Sequence, residues 1–137
     1  MLFLSLLAAA DEPHASAINR QTVGTHMPGK FEIKRAKDNE FYFNLLAPNG
    51  EIILTSEMYR SKTGAKKGVA AVQANAGDPN RFDRRIDKRK EHYFVLKAAN
   101  HRIVGCSEMY SDTTAMEKGI RSVMKNSKMT KITDAIG

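Results

Sequence analysis

One polar tetrad occurs twice in the chain, as Ser56-Glu57-Met58-Tyr59 and Ser107-Glu108-Met109-Tyr110. A carboxylate close to a phenol can orient a ligand or relay a proton, so Glu57 with Tyr59 and Glu108 with Tyr110 define two candidate polar sites, Ser56 and Ser107 beside them. The same residues also have a structural reading. A glutamate just ahead of a helix meets the positive end of the helix dipole and can accept free backbone N–H groups, leaving the tyrosine as a half-buried staple. The structural reading is the one expected. A second constellation is basic: Arg81, Arg84, Arg85, Lys88, Arg89 and Lys90 crowd one strand and turn. With Tyr42 and Tyr93 on neighbouring strands they suit phosphate contacts and base stacking. Asp83, Asp87 and Glu91 interrupt that cluster and no nucleic-acid-binding motif accompanies it. A solvated face is therefore expected first, and a weak, sequence-tolerant nucleic-acid surface second.

Other chemistry is sparse. His14, His26, His92 and His101 have no ligand spacing, so no metal site is expected. Cys106 is a lone cysteine with no paired base in the pattern; it can form no internal disulfide and reads as a small inert residue. Lys66-Lys67-Gly68 lacks phosphate-loop spacing. With no set of nucleophile, base and oxyanion donors, the expectation is no catalytic residue, no cofactor and no enzymatic activity. The 137 residues are 42% hydrophobic and 27% charged, ordinary for one globular domain, and the net charge of +7 suits an anionic partner or plain solubility. No apolar run approaches the roughly 20 residues a membrane span needs.

These residues are positioned by an internal repeat. A shift of 51 places sets Glu40-Phe41-Tyr42-Phe43-Asn44-Leu45 on Glu91-His92-Tyr93-Phe94-Val95-Leu96, one tetrad on the other, and Lys67-Gly68-Val69 on Lys118-Gly119-Ile120, without a gap. Within each unit Phe43, Leu45 and Ala47, or Phe94, Leu96 and Ala98, alternate as a strand requires. Asn49-Gly50 predicts a two-residue hairpin with Leu45 opposite Leu54 and Ala47 opposite Ile52. Lys30–Lys34 and Arg81–Arg84 read as the strands before it. A helix follows, with the stripe Ala65, Val69 and Val72 in one unit and Met116, Ile120, Val123 and Met124 in the other. Ser61 or Thr63, and Ser111, Thr113 or Thr114, are candidate N-caps. Thr114 to Glu117 fits a capping box, and Asn75 and Asn126 suit left-handed C-caps. Mid-helix Gly68 and Gly119 point to a close approach of helix to sheet, the alternative being a relic of duplication.

The expected architecture is α+β: a tandem duplication of a strand-strand-strand-helix unit, giving two antiparallel three-stranded meanders, each followed by a helix, related by a pseudo-twofold axis. Residues 29–76 form unit one, 77–80 a linker, 81–127 unit two and 128–137 a flexible tail. Residues 1–28 are expected to be a leader or unstructured extension, with Met27 as the working start of a cytoplasmic protein; export through a signal peptide in residues 1–17 is the alternative. Tyr42, Leu46, Ile53, Tyr93, Val95 and Val104 make the outer sheet face apolar, which predicts burial against a second copy in a homodimer.

The pattern Lys30-Phe31-Glu32, Phe43-Asn44-Leu45 and Asn49-Gly50 through Tyr59 resembles the YegP-like family of small bacterial tandem-repeat proteins, a domain of unknown function. So do Tyr93-Phe94, Lys97 to His101, Ile103-Val104-Gly105 and Gly119 to Val123. The resemblance spans residues 29–127. It implies the duplication, a bacterial source and a start near Met27, and it supplies no reaction. The sequence leads to an interaction or structural protein, with nucleic-acid binding as the alternative.

Overall fold

The computed structural model describes residues 29–128 and 131–134; the expectations for residues 1–28 lie outside the described residues. Alternating apolar residues build β1 (Lys30–Arg35), β2 (Phe41–Leu46) and β3 (Ile52–Ser56), followed by α1 (Lys62–Asn75). A short 3-10 turn (Pro79–Arg81) leads into β4 (Phe82–Ile86), β5 (His92–Lys97), β6 (Ile103–Cys106) and α2 (Thr113–Asn126), and β7 (Lys131–Asp134) follows. The fold is α+β, with one seven-stranded sheet in the order β4-β5-β6-β3-β2-β1-β7 and two helices. The two meanders join where β3 pairs antiparallel with β6, Thr55 opposite Cys106 and Ser56 opposite Gly105. Phe31, Ile33, Phe43, Leu45, Leu54, Phe82, Phe94 and Leu96 form one core with Ala65, Val69, Val72, Met116, Ile120 and Val123 of the helices.

Several local expectations need correcting. Leu45 does lie opposite Leu54, but Leu46 rather than Ala47 meets Ile52, because a bulge shifts the register there. The turn has three residues. Gly50 N–H bonds the Ala47 carbonyl, Ala47 N–H bonds the Glu51 carbonyl, and only Gly50, at φ +89, enters the left-handed region. The other three hairpins repeat this closure, with Asn39, Lys90 and His101 at positive φ. The bulge also turns Ile53 inward. Ile53 and Val104, assigned above to an outer face, belong to the core at 5% and 7% exposure, and Val95 is 3% exposed within the single chain. Much of the area that motivated a dimer is thus already covered.

The helix ends differ too. Ser61 caps α1 by accepting from Gly64 N–H, as one of the candidates. The cap of α2 is Asp112, which accepts from Ala115 N–H; Thr114 to Glu117 forms no capping box, because Glu117 is drawn to Arg84. Asn75 and Asn126 are last helical residues, not left-handed caps; their side-chain amides donate back to the Ala71 and Ser122 carbonyls, and buried Asn126 also accepts from Gly29 N–H. Residues 128–137, expected as a flexible tail, include β7, which pairs parallel with β1.

The close approach at Gly68 and Gly119 is made by tyrosine side chains, joined at Gly68 by Phe43 of β2. A β-carbon on either glycine would collide with the hydroxyl and ring of Tyr59 or Tyr110. Gly119→Ala is therefore overpacked and costs about 1–3 kcal/mol, a fall in Tm of roughly 5–15 °C. Tyr110→Phe in the same chain recovers part of that loss, while Gly77→Ala, with nothing within 4 Å, leaves Tm nearly unchanged. Thermal unfolding followed by circular dichroism measures all three.

Candidate functional site

The repeated tetrad divides its labour. Ser56 and Ser107 are buried, and each hydroxyl accepts from the N–H of Phe43 or Phe94 (2.9 and 3.0 Å) and donates to the carbonyl of the next glutamate. Tyr59 and Tyr110 bridge back to Phe41 and His92 through paired main-chain bonds and stack on Phe43 and Phe94, at 6.3 and 6.4 Å between ring centres. Burial and the charge of Glu108 push the Tyr110 phenol up to about 12; burial and Glu57 raise Tyr59. These serines and tyrosines pin the strand exits. The glutamates do not cap the helices, a role taken by Ser61 and Asp112.

Glu57 turns instead toward the sheet face that carries no helix. Because β3 and β6 are neighbours and antiparallel, Glu57 of unit one reaches over unit two. There it lines a cavity of about 630 Å³ with Arg85, Asp87, Lys88, Arg89, Tyr93, Val95, Ile103, Cys106 and Met109. Register brings them together: Arg85 lies opposite Tyr93 and Val95 opposite Cys106, while Lys88 and Arg89 stand on the β4–β5 turn. Val95, Ile103, Cys106 and Met109 make part of the lining apolar, and its charged part sets three cations, Arg85, Lys88 and Arg89, against two carboxylates, Glu57 and Asp87. Arg85 is held by Asp83 at 3.0 Å, which Lys97 also approaches at 3.4 Å. Asp87 spends one carboxylate oxygen on the N–H groups of Arg89 and Glu91. Lys88 and Arg89 make no ion pair among the described residues and are exposed. Burial and the nearby Glu57 charge push the Cys106 thiol up to about 11, so at neutral pH it is a thiol and a poor nucleophile.

Strand alternation separates the basic cluster that the sequence grouped. Arg84 points to the helix side and grips Glu117 through two bonds of 2.6 and 3.0 Å, and Arg81 lies 3.6 Å from Asp78. Lys90 is the left-handed residue of its turn. Only Arg85, Lys88 and Arg89 converge, joined by a residue not grouped with them, Val95, and by Ile103 and Met109. Tyr93, Val95 and Cys106 share one face by alternation, and that was the signal available. Among the described residues no group of three or more His, Cys, Asp or Glu could hold a metal ion, and no helix is long and apolar enough to cross a membrane.

At the matching positions of unit one, Asn44 and Thr55 replace Val95 and Cys106, joined by a buried hydrogen bond of 2.8 Å, and Asp38 replaces Arg89. The glutamate there is Glu108. Its Oε2 is buried with no hydrogen-bond partner among the described residues, and burial together with the charge of Glu51 pushes its carboxyl up to about 7.

A family model described as a domain of unknown function (DUF1508) matches twice, over residues 36–83 and 87–134. A Yersinia pestis protein, UPF0339 protein YegP, is 51% identical over 106 residues, covering 77% of this chain and 95% of its own. The Escherichia coli protein of that name is 45% identical over 108 residues, covering 79% and 98%. The solution NMR structure of E. coli yegP, described as a protein of unknown function, is similar with a TM-score of 0.76 at 45% identity over 81% of this chain and 96% of that one. A Shewanella oneidensis UPF0339 protein gives 0.74 at 47% identity, covering 79% and 92%.

Glu108 sets a pH dependence of stability. Its folded pKa lies above its unfolded value, so the folded state binds the extra proton, and stability falls as pH rises from about 4.5 to about 7. Glu108→Gln, which mimics the protonated form, raises Tm by a few degrees at pH 8 and leaves it unchanged at pH 4. Thermal melts of both proteins across that range read the difference directly.

Proposed function

The chain belongs to the YegP-like DUF1508 family, whose model it matches twice, and from the site's geometry we propose a non-enzymatic binding protein that works through its helix-free sheet face. In this reading one strand-strand-strand-helix unit was duplicated in tandem, and the copies diverged in what that face offers. Unit two is the binding half. The observation that carries the proposal is the cavity lined by Val95, Ile103, Cys106 and Met109, with the exposed cations Lys88 and Arg89, which make no ion pair among the described residues, outnumbering with Arg85 the carboxylates Glu57 and Asp87. Its volume of about 630 Å³ falls in the range of small-molecule sites. An apolar floor strips water from an apolar ligand body, and free cations at the lip attract one anionic head. The ligand class is an organic anion with an apolar body. The absence of catalysis is supported by the Cys106 thiol, kept protonated, and by Ser56 and Ser107, whose hydroxyls are spent on backbone.

A second reading rests on Tyr93 beside Arg85, Lys88 and Arg89, an arrangement that suits a stacked base with adjacent phosphates. Its mark is salt: four phosphate contacts on a duplex lose roughly a hundredfold in affinity between about 50 and 200 mM salt. Self-association is a further proposal for the same face. A second copy would find Tyr42, Leu46 and Tyr93 there, since Ile53, Val95 and Val104 are covered within one chain.

Decanoate and decanol separate the readings, having one apolar body and different heads. By isothermal titration decanoate binds and decanol binds at least tenfold more weakly. Lys88→Ala with Arg89→Ala cuts decanoate affinity about tenfold without changing Tm. Equal affinities for both probes, or no effect of the double substitution, contradicts the proposal.

A further inference from the structure

The two edges of the sheet are treated differently. β1 is covered by β7, which runs parallel to it with Phe31 opposite Ile132, Glu32 opposite Thr133 and Ile33 opposite Asp134. The Thr133 hydroxyl donates to the Phe31 carbonyl at 3.3 Å. β4 holds the same place fifty-one residues later, Phe82 matching Phe31 and Arg84 matching Ile33, and it ends the sheet with no strand beside it among the described residues. The bond from Asp87 N–H to the Glu91 carbonyl fixes which groups are free. Asp87, Arg85 and Asp83 turn their main-chain groups to β5, so by alternation Arg84 and Ile86 turn theirs to the open side with the Phe82 carbonyl, while the Phe82 N–H bonds the Pro79 carbonyl.

Arg84 stands in for the missing strand. While its guanidinium grips Glu117, Nη1 also donates to the Phe82 carbonyl at 3.3 Å. That carbonyl matches the one that takes Thr133 on β1. A charged residue on an edge strand keeps stray strands away. Here the charge is held by a partner that is itself 37% exposed, so another carboxylate can compete for it. Beyond Arg84 the edge ends in Ile86, 61% exposed.

We propose that the β4 edge is a docking site for an extended segment of another protein, which adds parallel to β4 as β7 adds to β1. The segment carries a branched apolar residue opposite Phe82 and a carboxylate opposite Arg84. The chain's own β7 illustrates the match. Moved by fifty-one residues at its present register, it sets Ile132 opposite Phe82 and Asp134 opposite Arg84. At that register an acidic position of the segment falls opposite a basic one of the edge, where β1 has Ile33. The incoming carboxylate draws Arg84 off the Phe82 carbonyl and leaves that carbonyl to the new strand.

The probe is a synthetic peptide with the sequence of residues 128–137, offered to the whole protein together with a variant carrying Asp134→Asn. Amide exchange followed by NMR reports the site. The peptide slows exchange at Arg84 and Ile86, and the Asn variant binds wild type about five- to tenfold more weakly. Against Arg84→Gln protein, whose own amide spectrum checks its fold, the two peptides bind equally. Unchanged exchange at Arg84 and Ile86 at millimolar peptide overturns the proposal. So do effects confined to residues 30–35, where the probe merely trades places with β7, and equal binding of both peptides to wild type. The outcome is independent of decanoate binding, which concerns the sheet face and not its edge.

Discussion

The two residue pairs that join β3 to β6 govern the rest of the molecule. Thr55 against Cys106 and Ser56 against Gly105 turn two small meanders into one sheet. Gly105 makes the join possible, since a β-carbon there would lie 2.8 Å from the Leu54 side chain. A unit of about fifty residues buries so small a share of its surface that it is marginal alone. Joined, the units share one core, and each helix reaches strands of the other unit, α1 against β5 and β6 and α2 against β2 and β3. With both helices drawn to one face, the other is left without a layer. The crosswise placement of Glu57 and Glu108 follows from the same pairing.

Much of this was legible in residue pattern. The shift of 51 places located the paired elements, and alternation at Phe43, Leu45, Phe94 and Leu96 gave the core face. What was not legible depended on geometry that one residue can change. The Asn49-Gly50 pair suggests a two-residue turn, yet Pro48 joins the loop and a bulge accompanies the burial of Ile53 in the core, which leaves the outer face less apolar than alternation alone predicts. Thr114 to Glu117 has the spacing of a capping box, yet Asp112 caps the helix while Glu117 pairs with Arg84, a strand residue 33 positions before it. β7 spans four residues and forms because β1 offers an open edge, a condition set at the opposite end of the chain.

The candidate site was half visible. Arg85, Lys88 and Arg89 were grouped from charge alone, and strand alternation then removed Arg84 to the helix side. Glu57 was singled out from the repeat, but its position over the sister unit depends on the β3–β6 join, to which no local pattern points. The chemical contrast between the two halves of that face lies in residues the repeat does not preserve. Asn44 and Thr55 satisfy one another in unit one, whereas Val95 and Cys106 leave an apolar floor in unit two. The face without helices is the one that the shared core constrains least, and the two halves differ there in chemistry.

The most direct test of the claim that this face of unit two is the working surface is an unbiased fragment screen by NMR on the methyl-labelled protein. The account predicts that hits shift the methyl groups of Val95, Ile103 and Met109, and that acidic fragments predominate among them. Hits scattered over the surface, or gathered at Ile52 and Met58 of unit one, would contradict it.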